Sequence, residues 1–194
     1  MDFLQHQEED LIEKAKAGDV KSFEILIANY KKRAFNIAYR MLGNLEDAND
    51  VTQESFLKIY RSIDKFKGKS SFSTWLYSIV SNTCIDFIRK NRKKTTISID
   101  TNYDEDGYEI EIADEKNTTE SLFEKKEIIR SIHDAINRLN HDQKIVIILR
   151  DIQGFSYFEI SKILNISEGT VKSRISRGRK NLKNILEEML YTNS

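Results

Sequence analysis

Five cations fall within fourteen residues, SEGTVKSRISRGRK at 167–180: Lys172, Arg174, Arg177, Arg179 and Lys180, against the single acid Glu168. Guanidinium and ammonium groups at this density neutralise phosphates, and an arginine fork can also pair with a base edge. Their arrangement says more than their number. At about 100° per residue, Val171, Ile175, Gly178 and Leu182 share one side of a helix and must face a core. The opposite side carries Gly169, Ser173, Ser176 and Lys180, flanked by Thr170, Lys172 and Arg177. Small hydrogen-bonding residues in the centre and cations at the edges suit base reading combined with phosphate neutralisation. A charge run on its own is more often a solvated face; the residues upstream favour DNA here.

Those residues form the elements that must position the helix. SYFE at 156–159 is a capping box, with Ser156 capping and Glu159 reaching back. Ile160, Ile163 and Leu164 make an inner face, Asn165 stands where the chain must turn, and Ser167 caps the next helix. Two helices joined by a tight turn are the helix-turn-helix signature, whose second helix lies in the major groove. Ser167 also leaves backbone N–H groups for a phosphate.

A second constellation has a different character. Lys65, Lys67 and Lys69 bracket Phe66, and Ser71, Phe72, Trp75 and Tyr77 follow. Cations interleaved with aromatics suit single-stranded nucleic acid, where charge follows the backbone and rings stack on bases. For Phe72 and Trp75, core packing is an equally good account. The helix that begins here, from about Phe72 to Arg92, is capped by Ser70 or Ser71 and runs into a second basic cluster, RKNRKK at 89–94. GKSS at 68–71 imitates the end of a phosphate-binding loop, but Ile63 stands where that loop needs Gly and no strand precedes it.

Just upstream, a helix over 45–61 groups Ala48, Thr52, Ser55, Phe56 and Ile59 on its core side. Glu46, Asp47, Asp50, Gln53, Glu54 and Leu57 share the other side. An acidic stripe repels DNA; it is either solvated or fits a basic protein surface.

The remaining chemistry is sparse. His6, His133 and His141 do not pair with cysteines or carboxylates at metal spacing, and no nucleophile has a base beside it. No cofactor and no metal are expected, and the chain reads as a binding protein rather than an enzyme. The one cysteine, Cys84, is better read as a small buried apolar residue than as a reactive thiol, and it excludes an internal disulfide.

The 194 residues are 39% apolar and 32% charged, enough for one domain or two small ones. Net charge is zero only on average. Residues 1–95 carry 17 bases and 13 acids, 96–127 carry 3 and 11, and 128–194 carry 11 and 7. Two mildly basic blocks therefore flank an acidic segment. Proline is absent, so nothing breaks long helices. Helices are expected over Leu11–Ala17 and Val20–Leu42 in the first block. In the last they are expected over Glu120–Asn140, Asp142–Ile152, Tyr157–Leu164 and Glu168–Leu190. Residues 95–120 are polar and acidic, with two short strand-like alternations, and read as a flexible linker. The N-terminus is acidic without an apolar core, and the longest aliphatic run, IVIIL at 145–149, is far short of a membrane span. A cytoplasmic protein without membrane insertion is expected.

Two basic helical blocks, one suited to duplex and one to single strands, joined by a linker, resemble a bacterial RNA polymerase sigma factor of the extracytoplasmic-function type. The resemblance rests on LGNLEDANDVTQESFLKIYRSIDKFKGKSSFSTWLYSIVSNTCIDFIRK at 42–90 and LNHDQKIVIILRDIQGFSYFEISKILNISEGTVKSRISRGRKNL at 139–182. It implies an all-α fold of two small helical domains joined by a flexible acidic linker. Residues 1–94 correspond to sigma region 2, 95–120 to the linker and 121–194 to region 4.

The resemblance further implies that Asp47, Asp50, Gln53, Glu54 and Leu57 dock on core RNA polymerase. It implies that Lys65, Phe66, Lys67, Lys69, Ser71, Phe72 and Trp75 open the promoter −10 element and hold a flipped base. Ser167, Thr170, Lys172, Ser173, Arg174, Ser176, Arg177 and Lys180 would engage the −35 duplex, with Arg174 nearer the core side. An anti-sigma protein, often membrane-bound, and a stress or envelope response are implied as well. No extra domain is expected before or after these two, in contrast to the larger housekeeping class. Asn140, Asn165 and Ser161 stand where the family often has Pro, Gly and Ala. The rival readings are a stand-alone helix-turn-helix regulator and an adaptor that sequesters regulators through its helical surfaces.

Overall fold

The computed structural model describes residues 2–92, 128 and 130–192. Among them the chain is helical: α1 (Asp2–Lys16), α2 (Val20–Leu42), α3 (Leu45–Ser62), a single 3-10 turn (Ile63–Lys65), α4 (Phe72–Arg92) and α5, described over 130–137. Then come α6 (His141–Ile147), one wider π-type turn (Ile148–Ile152), α7 (Tyr157–Leu164) and α8 (Glu168–Thr192). The linker at 95–120 lies outside the described residues.

Local chemistry explains the boundaries. Asp19 caps α2 by accepting from the Lys21 N–H at 3.1 Å. Gly43, at φ 75°, ends the helix in the left-handed region that glycine adopts without a Cβ penalty, and its N–H returns to the Tyr39 carbonyl. Asn44 caps α3 through the Asp47 N–H at 2.9 Å. Ser71 caps α4 through the Thr74 N–H at 3.2 Å.

α1 is longer than the Leu11–Ala17 segment expected from periodicity. Its polar first turns are held from outside, by the Tyr30 hydroxyl donating to the Glu8 carboxylate, while Ile12 and Ala15 anchor its second half in the core. The Asp142–Ile152 segment is helical but not uniform. α6 stops at Ile147 and the π-type turn carries Arg150 outward, where its guanidinium donates to the Phe155 carbonyl at 2.8 Å.

α1 to α4 pack as one bundle and α6 to α8 as a second around Val146, Leu149, Ile160, Ile163, Val171 and Ile175, all buried. α4 joins them because it is apolar on two stripes. Phe72, Leu76, Val80 and Thr83 turn toward α2 and α3, where Thr83 meets Lys58 and Phe72 meets Tyr30. Tyr77, Ser81, Cys84 and Ile88 follow a second stripe at i, i+4, i+7 and i+11, and α7 packs along α4. The Tyr77 ring meets Phe155 edge-on at 5.4 Å. Burying a large side chain of this kind contributes about 1.5–3 kcal/mol.

A buried lysine makes a second join between the two halves. Lys144 of α6 donates to the Met41 carbonyl at the end of α2 (2.9 Å) and to the Asn137 side-chain oxygen (2.7 Å). A cation at a helix C-terminus meets the negative end of its dipole.

Candidate functional site

The helix-turn-helix is built as its sequence requires. Ser156 accepts from the Glu159 N–H at 3.2 Å, and Glu159 accepts from the Ser156 N–H at 2.8 Å. Asn165 takes left-handed geometry (φ 52°, ψ 48°), the one described non-glycine residue at positive φ. Asn is among the few residues that sit there at little cost, so the turn stays intact with Asn where the resemblance leads one to expect Gly. Asn140 in the place of Pro is equally well used, since its side chain caps α6 through the Gln143 N–H at 3.0 Å. Ser161 is buried and donates to the Phe158 carbonyl at 2.7 Å.

α8 presents the face that the angular count selects. Val171, Ile175 and Gly178 are buried and Leu182 is half-buried. Gly169, Ser176 and Lys180 are exposed and Ser173 half-exposed, with Lys172 and Arg177 exposed beside them. Gly178 allows a close approach: a Cβ there would stand 3.0 Å from Ile147 Cγ1. Arg177 folds back along the helix, its Nε donating to the Ser173 carbonyl and its Nη2 to the Ser173 hydroxyl, each at 3.2 Å. Ser167 caps α8 by accepting from the Thr170 N–H at 3.1 Å.

Arg174 and Arg179 are engaged elsewhere. Arg174 pairs with Asp142 of α6 at 2.7 Å, and Arg179 meets Asp151 of the π-type turn through Nε at 3.0 Å. The latter pairing raises the Arg179 pKa further, chiefly through its hydrogen bond to Asp151. Asn181 of α8 donates to Gln143 of α6 at 2.9 Å. These cross-helix polar contacts lie outside what helical periodicity can reveal; the only sequence hint is that Arg174 falls nearer the core side.

In the N-terminal bundle, Lys65, Lys67, Lys69 and Ser71 are exposed and Trp75 is half-exposed. Phe66 is only 9% exposed and Phe72 only 2%. Of the two accounts open for Phe72, core packing is the one its burial fits, and Phe66 shares that position. The reason is mutual packing: Phe66, Phe72 and Trp75 lie 5.3–5.7 Å apart, centre to centre, as one cluster under the loop. The Lys16 ammonium sits 5.7 Å over Phe66. Trp75 is the most exposed of the three.

On α3, Ala48, Thr52, Ser55 and Ile59 are buried, as expected, and Phe56 is half-buried. Asp50, Gln53, Glu54 and Leu57 are exposed and Asp47 is half-buried. Desolvation, then the neighbouring charges of Glu46 and Asp50, raise the Asp47 pKa. Such crowding marks a concentrated negative surface. Glu54 pairs with Lys58 at 2.8 Å along the helix. Among the described residues no group of three or more His, Cys, Asp or Glu is placed to hold a metal, and no helix is long and apolar enough to cross a membrane.

These features define a two-domain helical protein, with a helix-turn-helix in one domain and a basic, ring-supported loop in the other. Comparison with known proteins gives the family. Sigma-70 region 2 matches residues 26–94, and Sigma-70 region 4 matches residues 129–182. The extracytoplasmic-function (ECF) RNA polymerase sigma-E factor of Haemophilus influenzae is 33% identical over 96% of this chain and 98% of its own length. The ECF RNA polymerase sigma factor SigW of Bacillus subtilis is 37% identical over 92% and 96%. Among solved structures, the sigma factor RpoE of Bartonella quintana, in complex with the anti-sigma factor NepR, is 26% identical, with a TM-score of 0.65 over 87% of this chain and 98% of that one. The chain belongs to the sigma-70 family, as an RNA polymerase sigma factor of the extracytoplasmic-function type. Members of this family are transcription initiation factors and not enzymes.

Proposed function

We propose that this sigma factor binds core RNA polymerase through the outer face of α3, melts the −10 element with the 65–71 loop, and reads the −35 element with α8. The observation that carries the reading is the division of α8. A buried edge of Val171, Ile175 and Gly178 stands opposite an exposed strip of Gly169, Ser173, Ser176 and Lys180, with Lys172 and Arg177 beside it. Lys172, Ser173, Ser176 and Arg177 contact base edges, Thr170 and Lys180 flank them, Ser167 offers the helix start to a phosphate, and Arg174 serves a phosphate once released from Asp142. Asp47, Asp50, Gln53, Glu54 and Leu57 form the polymerase-docking face.

Lys65, Lys67, Lys69 and Ser71 follow the melted strand and Trp75 supplies the ring. Phe66 and Phe72 support the loop from beneath. The protein works in the cytoplasm, where an anti-sigma protein restrains it as part of a stress or envelope response.

Run-off transcription with purified core polymerase and the region upstream of this protein's own coding sequence tests the reading; no promoter-specific transcript would overturn it. Asp50→Lys should weaken core binding while leaving α8 folded. Arg177→Ala should weaken promoter binding by about 1–3 kcal/mol if it meets a base edge.

A further inference from the structure

Two of the five cations between Lys172 and Lys180 are already paired within the protein. Asp142, at the start of α6, holds Arg174, and Asp151, on the π-type turn, holds Arg179. No acid is paired with Lys172, Arg177 or Lys180 among the described residues. Neither acid lies on α8, and each comes from an element packed against it or against α7. The pairs are open to solvent, with side-chain exposures of 27% and 65% for Arg174 and Asp142, and 53% and 31% for Arg179 and Asp151. Exposed pairs add little to folding stability. They do change what α8 offers to a phosphate backbone, because non-specific affinity for DNA is set by the number of phosphates neutralised.

We propose that Asp142 and Asp151 are specificity-determining residues that act as internal substitutes for DNA phosphates. They occupy Arg174 and Arg179 and so keep α8 from gripping duplex of any sequence. On a matched −35 site the phosphates beside the correctly seated helix displace the carboxylates. On other sequences the exchange does not repay the lost pairs, and only Lys172, Arg177 and Lys180 engage. A pocket whose lining includes Asp142, Thr170, Arg174 and Arg177 leaves room for the exchange at Arg174. The inference rests on the reading of α8 as the DNA-facing helix.

Anisotropy titrations of the full chain on a mixed-sequence duplex, across about 50 to 200 mM salt, test it. Each phosphate contact steepens the slope of log K against log salt by about 0.9. Asp142→Asn with Asp151→Asn should bind more tightly than wild type, with a slope steeper by about 1.8. Its gain should then be roughly tenfold larger at the low-salt end than at the high-salt end. Adding Arg174→Ala and Arg179→Ala should cancel the gain.

Unchanged or weaker binding by the Asn variant, with its helical circular dichroism intact, overturns the inference. If that variant does not fold, Arg174→Ala with Arg179→Ala in the wild type decides. An unchanged slope is expected, and a slope shallower by about 1.8 overturns the inference. Lys172→Ala with Arg177→Ala must weaken wild-type binding. If it does not, the DNA-facing reading of α8 falls and this inference falls with it, whereas failure of the aspartate variants alone leaves that reading standing.

Discussion

The Arg33 guanidinium carbon lies 4.1 Å from the centre of the Phe155 ring and 5.3 Å from that of Tyr77. One cation of α2 is thus held against an aromatic of each domain, and its Nη2 donates to the Gln153 carbonyl as well. A partly desolvated contact of this kind contributes about 1–2 kcal/mol.

Removing it should loosen the seam between α4 and α7. Cys84 shares the Tyr77 stripe of α4, is fully buried, and has its thiol pKa pushed up to about 12 by that burial. In Arg33→Ala, thiol-reagent labelling of Cys84 should accelerate by roughly 5- to 30-fold, the factor corresponding to 1–2 kcal/mol. An unchanged rate would show that the seam does not shield the thiol.

Lys144 makes stability depend on pH. Burial lowers its pKa from 10.5 to about 8. Below about pH 8 both folded and unfolded chains hold the proton, and the burial penalty is present in full. Between about 8 and 10.5 the unfolded chain keeps the proton while the folded one has lost it, so stability rises with pH by roughly 3 kcal/mol across the window. Cys84 acts in the opposite sense above pH 9, where its raised pKa makes the folded state keep a proton that the unfolded chain releases. Comparing chemical denaturation of wild type and Lys144→Met across this range cancels the Cys84 contribution. The wild type should gain on the variant as pH rises, and parallel profiles would refute the assignment.

The turn between α7 and α8 depends on Asn165 accepting positive φ. Asn165→Val should destabilise the C-terminal domain by about 1–3 kcal/mol, because a β-branched residue is strained there. Asn165→Gly should be neutral or slightly stabilising. Thermal unfolding followed by circular dichroism separates the two, and equal melting temperatures would contradict the left-handed turn.

Where local rules act, the sequence was readable. α2 and α7 begin and end as their caps and periodicity say, and the two sides of α3 and α8 divide as 100° per residue requires. The remainder depends on residues far apart in the chain. Nothing near Arg33 announces Phe155, and nothing near Lys144 announces the Met41 carbonyl. α4 carried a hint, since two apolar stripes on one helix need two partners. Phe72 and Trp75 looked alike as core or as stacking rings because aromatic residues satisfy both patterns. Only the cluster they form with Phe66, in which Phe72 is buried and Trp75 half-exposed, separates the cases.

The close approach of Gly178 to Ile147 divides the labour along one helix. Folding of the C-terminal domain is secured on the buried edge of α8, whereas Ser176 and Lys180, on the far side, are exposed and have little to do with that packing. Substitutions on the outer strip can therefore accumulate without unmaking the domain. On the proposed reading of α8, a lineage carrying duplicate copies of such a factor could retarget one copy by a few changes at 172, 173, 176 and 177. The same division makes those positions a sound choice for a randomised library aimed at new promoters.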